Sequence, residues 1–272
     1  MPEPAVFVYA VRARSLRHVG SELATAAQWV TSASAVTVLS GAGVSTESGI
    51  PDFRGPQGVW TKDPSAAALS TIDTYVSDPD VRRRAWLARR DHPGWQAAPG
   101  AGHRAIVDLE RAGKLHTVIT QNIDELHQRA GNDPNKVIEV HGTMFQVQCL
   151  SCGLRTSMAQ ALERVTAGED DPACLFCGGI QKSATISFGQ ALEPRVLDAA
   201  VTAARSCDLF LAVGSTLTVH PVAGLCVEAA EAGARLVIVN ADETPYDHIA
   251  DAVVHEPIGT ALPQLVASLP GS

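Results

Sequence analysis

VTVLSGAGVSTESGIPDFRG, residues 36–55, decides the fold. An apolar, β-branched burst of strand length runs directly into Gly41 and Gly43, as where a buried strand turns sharply into a helix. Glycine at both positions lets the backbone turn tightly and approach a pyrophosphate, whose charge the amides of the next helix start can meet. Nucleotide binding is the natural reading, although the same two glycines also suit a plain strand-to-helix turn. Hydride transfer is disfavoured. The dehydrogenase fingerprint needs glycine at position 46, where Thr46 stands, and no second strand ending in an acid follows about 20 residues on. The loop beyond holds Asp52, Phe53 and Arg54 among Gly49, Pro51 and Gly55, polar and aromatic chemistry that a turn alone does not need.

The alternation continues outward. Strand-like bursts at 35–39, 116–120, 137–140, 184–188, 208–213, 235–240 and 252–255 accompany helical patterns at 21–30, 102–112, 193–205, 221–232 and 259–269. This order predicts an α/β fold, a doubly wound parallel sheet with helices on both faces, over residues 20–52, 101–141 and 184–272. Two stretches interrupt it: a loop and Arg-rich helical insert at 53–100, and a cysteine-bearing insert at 142–183. Residues 1–19 read as an N-terminal arm.

A chain of 272 residues can bury one large core, or a core plus a small module. Its 46% hydrophobic and 18% charged residues exclude extensive disorder. The formal charge of -8 argues against direct nucleic-acid binding, which relies on clustered Lys and Arg, and suits a basic peptide. Apolar runs such as 209–213 are strand-length, short of the roughly 20 residues a bilayer requires, so no membrane partner is expected. Near the start the arginines follow the apolar patch, the reverse of a secretory signal, and a cytoplasmic location is expected.

Polar residues cluster where strands end. TQNIDELH, residues 120–127, places Gln121, Asn122 and Asp124 at such an end, where an open parallel sheet forms its ligand crevice. Helix capping is the plainer use of the same residues. His141 closes a third strand, and its imidazole suits a general base near neutral pH; the remaining histidines read as surface or capping residues. GSTLTVHP from 214 and IVNADETP from 238 follow later strands, bringing small hydroxyl residues, Asn240 and Asp242 to the same edge. Cys149-x-x-Cys152 with Cys174-x-x-Cys177 is the spacing of a four-thiolate zinc ribbon, a closed and therefore structural site. Cys207 and Cys226 have no such spacing and read as core packing. Arg82, Arg83, Arg84, Arg89 and Arg90 look like a solvated basic helix face.

Taken in order, GAGVSTESGIPDFRG, TQNID, HG, the two C-x-x-C pairs, SFG, VGSTL and IVN resemble the sirtuins; GIPDFRGPQGVW is similar to the branch that includes nuclear deacylases and mono-ADP-ribosyltransferases, whereas the two C-x-x-C pairs and NIDELHQRAG look bacterial-like. The resemblance implies a Rossmann-like domain, a small zinc-ribbon and helical domain formed from the two inserts, and a cleft in which NAD meets an acyl-lysine protein or peptide. It implies that Gly41, Ala42, Gly43, Ser45 and Arg54 hold the pyrophosphate and that Gln121 and Asn240 hold the riboses. Asp52, Ile123 and Asp124 are implied for nicotinamide, with Phe53 shielding the reacting centre. Trp60, Gly214, Ser215, Thr216, Asp242 and Ile258 complete the implied cofactor contacts. His141 and Asn122 are the implied catalytic residues, Ser187, Phe188 and Gly189 the implied peptide contacts, and one structural zinc ion the implied metal. The implied reaction is NAD-dependent lysine deacylation, releasing nicotinamide and an O-acyl-ADP-ribose; mono-ADP-ribosyl transfer and NAD hydrolysis would use the same pocket.

Four positions depart from the family's usual pattern: Glu125 for a glycine, Gln190 for a glutamate, Ser183 for a proline, and GST for GTS or GSS. Family members that remove succinyl or malonyl groups share a Tyr-x-x-Arg pair, and Trp86 and Arg89 fall there. Trp86 lacks the hydroxyl, so neutral acyl groups, acetyl or longer, are expected.

Overall fold

The computed structural model describes residues 19–53, 55, 58–62 and 71–270. The chain order is α1 (Val19–Ser32), β1 (Val36–Ser40), α2 (Val59–Lys62), α3 (Ile72–Ser77), α4 (Pro79–Arg90), α5 (Ala101–Arg111), β2 (Leu115–Thr120), α6 (Leu126–Ala130) and β3 (Val137–Glu139). It continues through β4 (Gly142–Cys149), β5 (Arg155–Ser157), α7 (Met158–Thr166), β6 (Gln181–Thr185), α8 (Pro194–Arg205) and β7 (Leu209–Val213). Last come α9 (Leu225–Glu231), β8 (Arg235–Val239), β9 (Ala252–Val254) and α10 (Ile258–Val266). Residues 1–18 of the expected N-terminal arm lie outside the described residues.

Six strands form one parallel sheet in the order β3-β2-β1-β7-β8-β9. Its strands are nearly continuous apolar runs because both faces are covered. Along β7, Leu209, Leu211 and Val213 enter the core shared with α1, α5 and α10, while Phe210 and Ala212 enter the core shared with α8 and α9. On β8, Val237 and Val239 take the first face and Leu236 and Ile238 the second. Cys207 and Cys226 lie in the second core, as expected of packing residues. The chain winds outward from β1 to β2 and β3, then returns to the other side of β1 for β7. The order of winding therefore reverses between β1 and β7, the place where an open α/β sheet forms its crevice.

One expected strand belongs elsewhere. The burst at 184–188 is strand only over Gln181–Thr185, and it pairs antiparallel with β4 in a separate three-stranded sheet, β5-β4-β6. Periodicity reports burial, not which sheet does the burying, and β6 is buried as thoroughly as a central strand. The helix expected over 221–232 also divides, into a 3-10 turn at Val222–Gly224 and then α9.

The small sheet packs with α4 and α7 around Trp86, Val147, Met158, Ala161 and Val165. Asp78 caps α4, its carboxylate accepting from the amides of Asp80 and Val81, and Pro79 takes the first helical position. The basic face of α4 differs from expectation. Arg83, Arg84 and Arg90 are exposed, but Arg82 turns in to pair with Asp171 at 2.7 Å, and protein so surrounds Arg89 that burial lowers its pKa. Trp86 is only 2% exposed. An arginine every seventh residue or so can follow the buried side of a helix, a distinction that charge counting misses.

Candidate active site

The strand ends converge as expected, and the turns after β1, β7 and β8 are stitched together. Gly41 N donates to Val213 O, Gly43 N to Gly214 O and Gly214 N to Val239 O, each at 2.9 Å. A β-carbon on Gly41 would lie 2.6 Å from Gly214 O, and one on Gly43 would lie 2.8 Å from Gly214 Cα. Close packing of the two turns thus already requires both glycines, before any phosphate is considered. Ile258 abuts Gly214 and Gly102 at the same junction. Residues 42–48 form a 3-10 helix and not the expected α-helix, ended by Gly49 at φ +84°.

Below this junction the polar side chains are bonded to one another. Asn122 Nδ2 donates to Gly41 O and to Ser45 Oγ, both at 3.1 Å, and Ser45 Oγ donates to Asp124 Oδ2 at 2.7 Å. Gln121 Nε2 donates to Ser215 Oγ at 3.0 Å, joining the β2 and β7 ends. Ser45, Asn122, Asp124 and Ser215 are all buried. Ile123 lends its carbonyl to Met144 N at 3.0 Å, tying the loop to β4. Asp52 accepts from Gly55 N at 2.8 Å, so its carboxylate organises its own loop. Phe53 is 45% exposed, as an aromatic at a cleft mouth would be. Asn240 Nδ2 donates to Asp242 O at 2.9 Å after β8, and Thr216 pairs with Thr218. Arg54 and the side chain of Trp60 lie outside the described residues.

His141 lies at the seam between the two sheets. Its Nδ1 is 3.0 Å from Gln121 O on the main-sheet side, and its carbonyl accepts from Ile186 N at 2.9 Å just past β6. A carbonyl can only accept, so this bond assigns the ring proton to Nδ1 and leaves Nε2 as the basic nitrogen. Burial lowers the His141 pKa, against a smaller opposing pull from the Gln121 carbonyl, so the ring is neutral and able to accept a proton at pH 7. Two residues earlier, burial and then the Glu125 charge push the Glu139 carboxyl up to about 7. Glu125 itself stands at φ +54°, where the usual glycine would be unstrained.

Two of the remaining histidines are buried; His103 caps α5 as expected of a capping residue, its Nδ1 accepting from Gly100 N at 3.2 Å, whereas His127 is neither surface nor cap. His127 Nε2 lies 2.8 Å from Ser40 Oγ, which donates to Thr120 Oγ1 at 2.9 Å, and Thr120 Oγ1 accepts from Asn122 N at 3.1 Å. The His103 ring packs edge-on against His127 with centroids 5.0 Å apart. Burial holds them at about 4 and about 3, so both are neutral props under the Asn122 loop.

Ser187, Phe188 and Gly189 leave β6 beside His141. Phe188 O accepts from Ile72 N at 3.0 Å, and Thr71 and Phe188 form a parallel bridge, so α3 borders this segment.

The four cysteines come together at the tip of the small sheet, every sulfur within 4.8 Å of the others. The Cys149–Cys177 and Cys152–Cys174 separations are 3.5 and 3.8 Å. A tetrahedron of thiolates bound at about 2.3 Å has edges of about 3.8 Å, so the donor set fits zinc. Backbone amides of Cys152 and Ser151 draw the Cys149 thiol down to about 6. At Cys177 the Gly179 amide also favours the thiolate, yet the neighbouring sulfurs push the thiol up to about 12. Four thiolates this close repel one another, and a divalent cation removes that conflict.

A profile described as the Sir2 family matches residues 41–221. This chain belongs to the Sir2 family. The Sir2 chain is 55% identical over 234 residues to NAD-dependent protein deacetylase 2 of Streptomyces coelicolor, covering 86% of this chain and 97% of that one. It is 39% identical to NAD-dependent protein deacylase 2 of Archaeoglobus fulgidus, covering 90% and 95%. Among solved structures, a Sir2 enzyme superposes with TM-score 0.82 at 38% identity, covering 91% and 97%. A Sir2 complex with a p53 peptide and NAD+ superposes with TM-score 0.78 at 33% identity, covering 88% and 95%. No described helix is long and apolar enough to cross a membrane.

Proposed function

We propose that this Sir2-family protein is an NAD-dependent protein-lysine deacylase in which His141 is the general base. The observation that carries the reading is the His141–Gln121 bond, which leaves Nε2 basic and ties the ring to the residue preceding the buried Asn122. NAD, when bound, supplies the ADP-ribosyl group that receives the acyl group, with nicotinamide as the leaving group. Gly41, Ala42, Gly43, Ser45 and Arg54 would hold its pyrophosphate, and Gln121 and Asn240 its riboses. Asp52, Ile123 and Asp124 would seat the nicotinamide amide. Trp60, Gly214, Ser215, Thr216, Asp242 and Ile258 would complete the walls.

Asn122, fixed by its two donated bonds, orients the reacting ribose and water. His141 Nε2 would act as general base toward a ribose hydroxyl, and the Gln121 carbonyl would steady the ring once protonated. Phe53, at the cleft mouth, excludes water. Ser187, Phe188 and Gly189 would receive the acyl-lysine peptide. The four cysteines would hold one structural zinc, and reduced thiolates suit a cytoplasmic setting.

The cleft lies between two proposed units: the Rossmann-like domain of residues 20–52, 101–141 and 184–272, and a small domain from inserts 53–100 and 142–183. Because β6 begins at Gln181 and pairs with β4, the second boundary is better placed after Thr185.

The decisive experiment incubates the protein with NAD, with and without an acetyl-lysine peptide, and measures nicotinamide. Peptide-dependent release is expected. Equal release without peptide would instead identify an NAD hydrolase or ADP-ribosyltransferase, and no release would defeat the enzyme reading.

A further inference from the structure

Lys182 is buried in β6 at 5% exposure. A buried ammonium ordinarily faces a carboxylate, but among the described residues none lies within ion-pair distance of this one. Its Nζ donates to Ser183 O at 3.0 Å, to Thr185 O, and to Gln190 Oε1 at 3.4 Å. Burial and then the Arg89 charge push its pKa down to about 8, the mark of a cation held by neutral acceptors.

The third acceptor reaches beyond β6. Gln190 Oε1 also accepts from Ser187 N at 3.2 Å, and Gln190 N donates to Ser187 O at 3.0 Å. One amide oxygen therefore links a buried ammonium to the main chain of Ser187. On the other side, the Ile72 amide holds Phe188 O. Ser187–Gly189 is fixed from both directions, although Phe188 and Gly189 are exposed.

Resting on the reading of Ser187–Gly189 as the peptide-binding segment, we propose that Lys182 and Gln190 form a clamp that positions this segment, making Gln190 a positioning residue for the protein substrate. Glutamine stands where a glutamate is usual in sirtuins, so the link here is a charge–dipole contact and not an ion pair. A carboxylate at 190 would accept from the same two donors with added charge.

The test reads peptide and NAD separately. Gln190→Ala removes the link while Lys182 keeps both carbonyl acceptors, so the chain is expected to fold. Binding of a fluorescein-labelled acetyl-lysine peptide is measured by anisotropy, and steady-state kinetics are measured with peptide and NAD varied in turn. Gln190→Ala weakens peptide binding and raises peptide KM by about tenfold, the usual scale of one hydrogen bond to a charged group. The kcat and the KM for NAD stay within about twofold, as expected when uniform peptide binding is lost. Gln190→Glu binds the peptide at least as well as wild type. Unchanged peptide binding in Gln190→Ala, or equal effects of Ala and Glu at this position, overturns the clamp alone, provided wild type binds and turns over peptide. A wild type that does neither defeats the functional reading and the clamp with it.

Discussion

Along β7 the side chains alternate between two large cores, one closed by α1, α5 and α10 and the other by α8 and α9, whereas the small sheet gathers Trp86, Val147, Met158, Ala161 and Val165, with Trp95 and Leu162 partly buried against them. At about 1.5–3 kcal/mol for each large apolar side chain, the smaller core has far fewer such contributions than either large one. The main sheet is covered by apolar burial on both faces; the small one adds four thiols grouped as a zinc site requires. The contrast places the proposed nucleotide chemistry on the larger cores and the proposed peptide segment, Ser187–Gly189, where the chain leaves the small sheet. His141 joins them, its ring bonded to one side and its carbonyl to the other.

The largest expected effect breaks the small side only. Cys174→Ala removes one zinc ligand, and structural zinc contributes on the order of 10 kcal/mol or more to domains of this kind. Amides of β4 and β6 should lose hydrogen-exchange protection while those of β1, β7 and β8 keep theirs, and metal analysis should fall from one zinc per chain. Uniform loss across both sheets would contradict the division of labour drawn above.

Next comes the seam. His141→Ala should lower deacylation by at least about 100-fold, the scale of a missing general base, while NAD affinity measured by calorimetry is retained. Near-normal turnover would remove His141 from the chemistry.

A smaller effect is expected within the small side. Acetyl-lysine should be preferred to succinyl-lysine at equal peptide sequence, since Trp86 offers no hydroxyl and is packed in the core. Arg89 lies deeper than a surface residue would, so Arg89→Met should reduce succinyl turnover by about tenfold and acetyl turnover much less. The ratio of kcat/KM values decides it, and a succinyl preference in wild type would reverse the reading.

The smallest concerns Glu139 at the main-sheet edge. Its folded pKa is raised to about 7, above the value of about 4.3 in an unfolded chain. Between those values the folded state holds the extra proton, so stability from this group is present at low pH and is lost as pH rises toward 7. Glu139→Gln should therefore raise Tm by about 2–4 °C at pH 8 and change it little at pH 5. Equal shifts at both pH values would show that the charge of Glu139 is not the cause.

Much of this was legible in order along the chain, but not every reason was. Gly41 and Gly43 signal a phosphate turn, and their placement holds, yet the contact with Gly214 that excludes a β-carbon joins residues some 170 positions apart. The two C-x-x-C pairs announce their own partnership because each knuckle is local and only the meeting of the two is not. The burial of His127 has no such signal, because a single histidine carries no sign of the contacts that will bury it. The same holds for Arg89, whose charge says nothing of the side of α4 on which it falls.

The sequence by itself determined the parallel sheet, the strand-end placement of Asn122, Asp124 and His141, and the four-thiolate set, since periodicity, turn glycines and ligand spacing are properties of short segments. Only the tertiary structure decided that β6 pairs with β4, that the His141 proton sits on Nδ1, and that a buried Lys182 reaches Ser187 through Gln190. Those depend on which distant groups a side chain faces after packing, and on burial that raises or lowers a charge according to its neighbours.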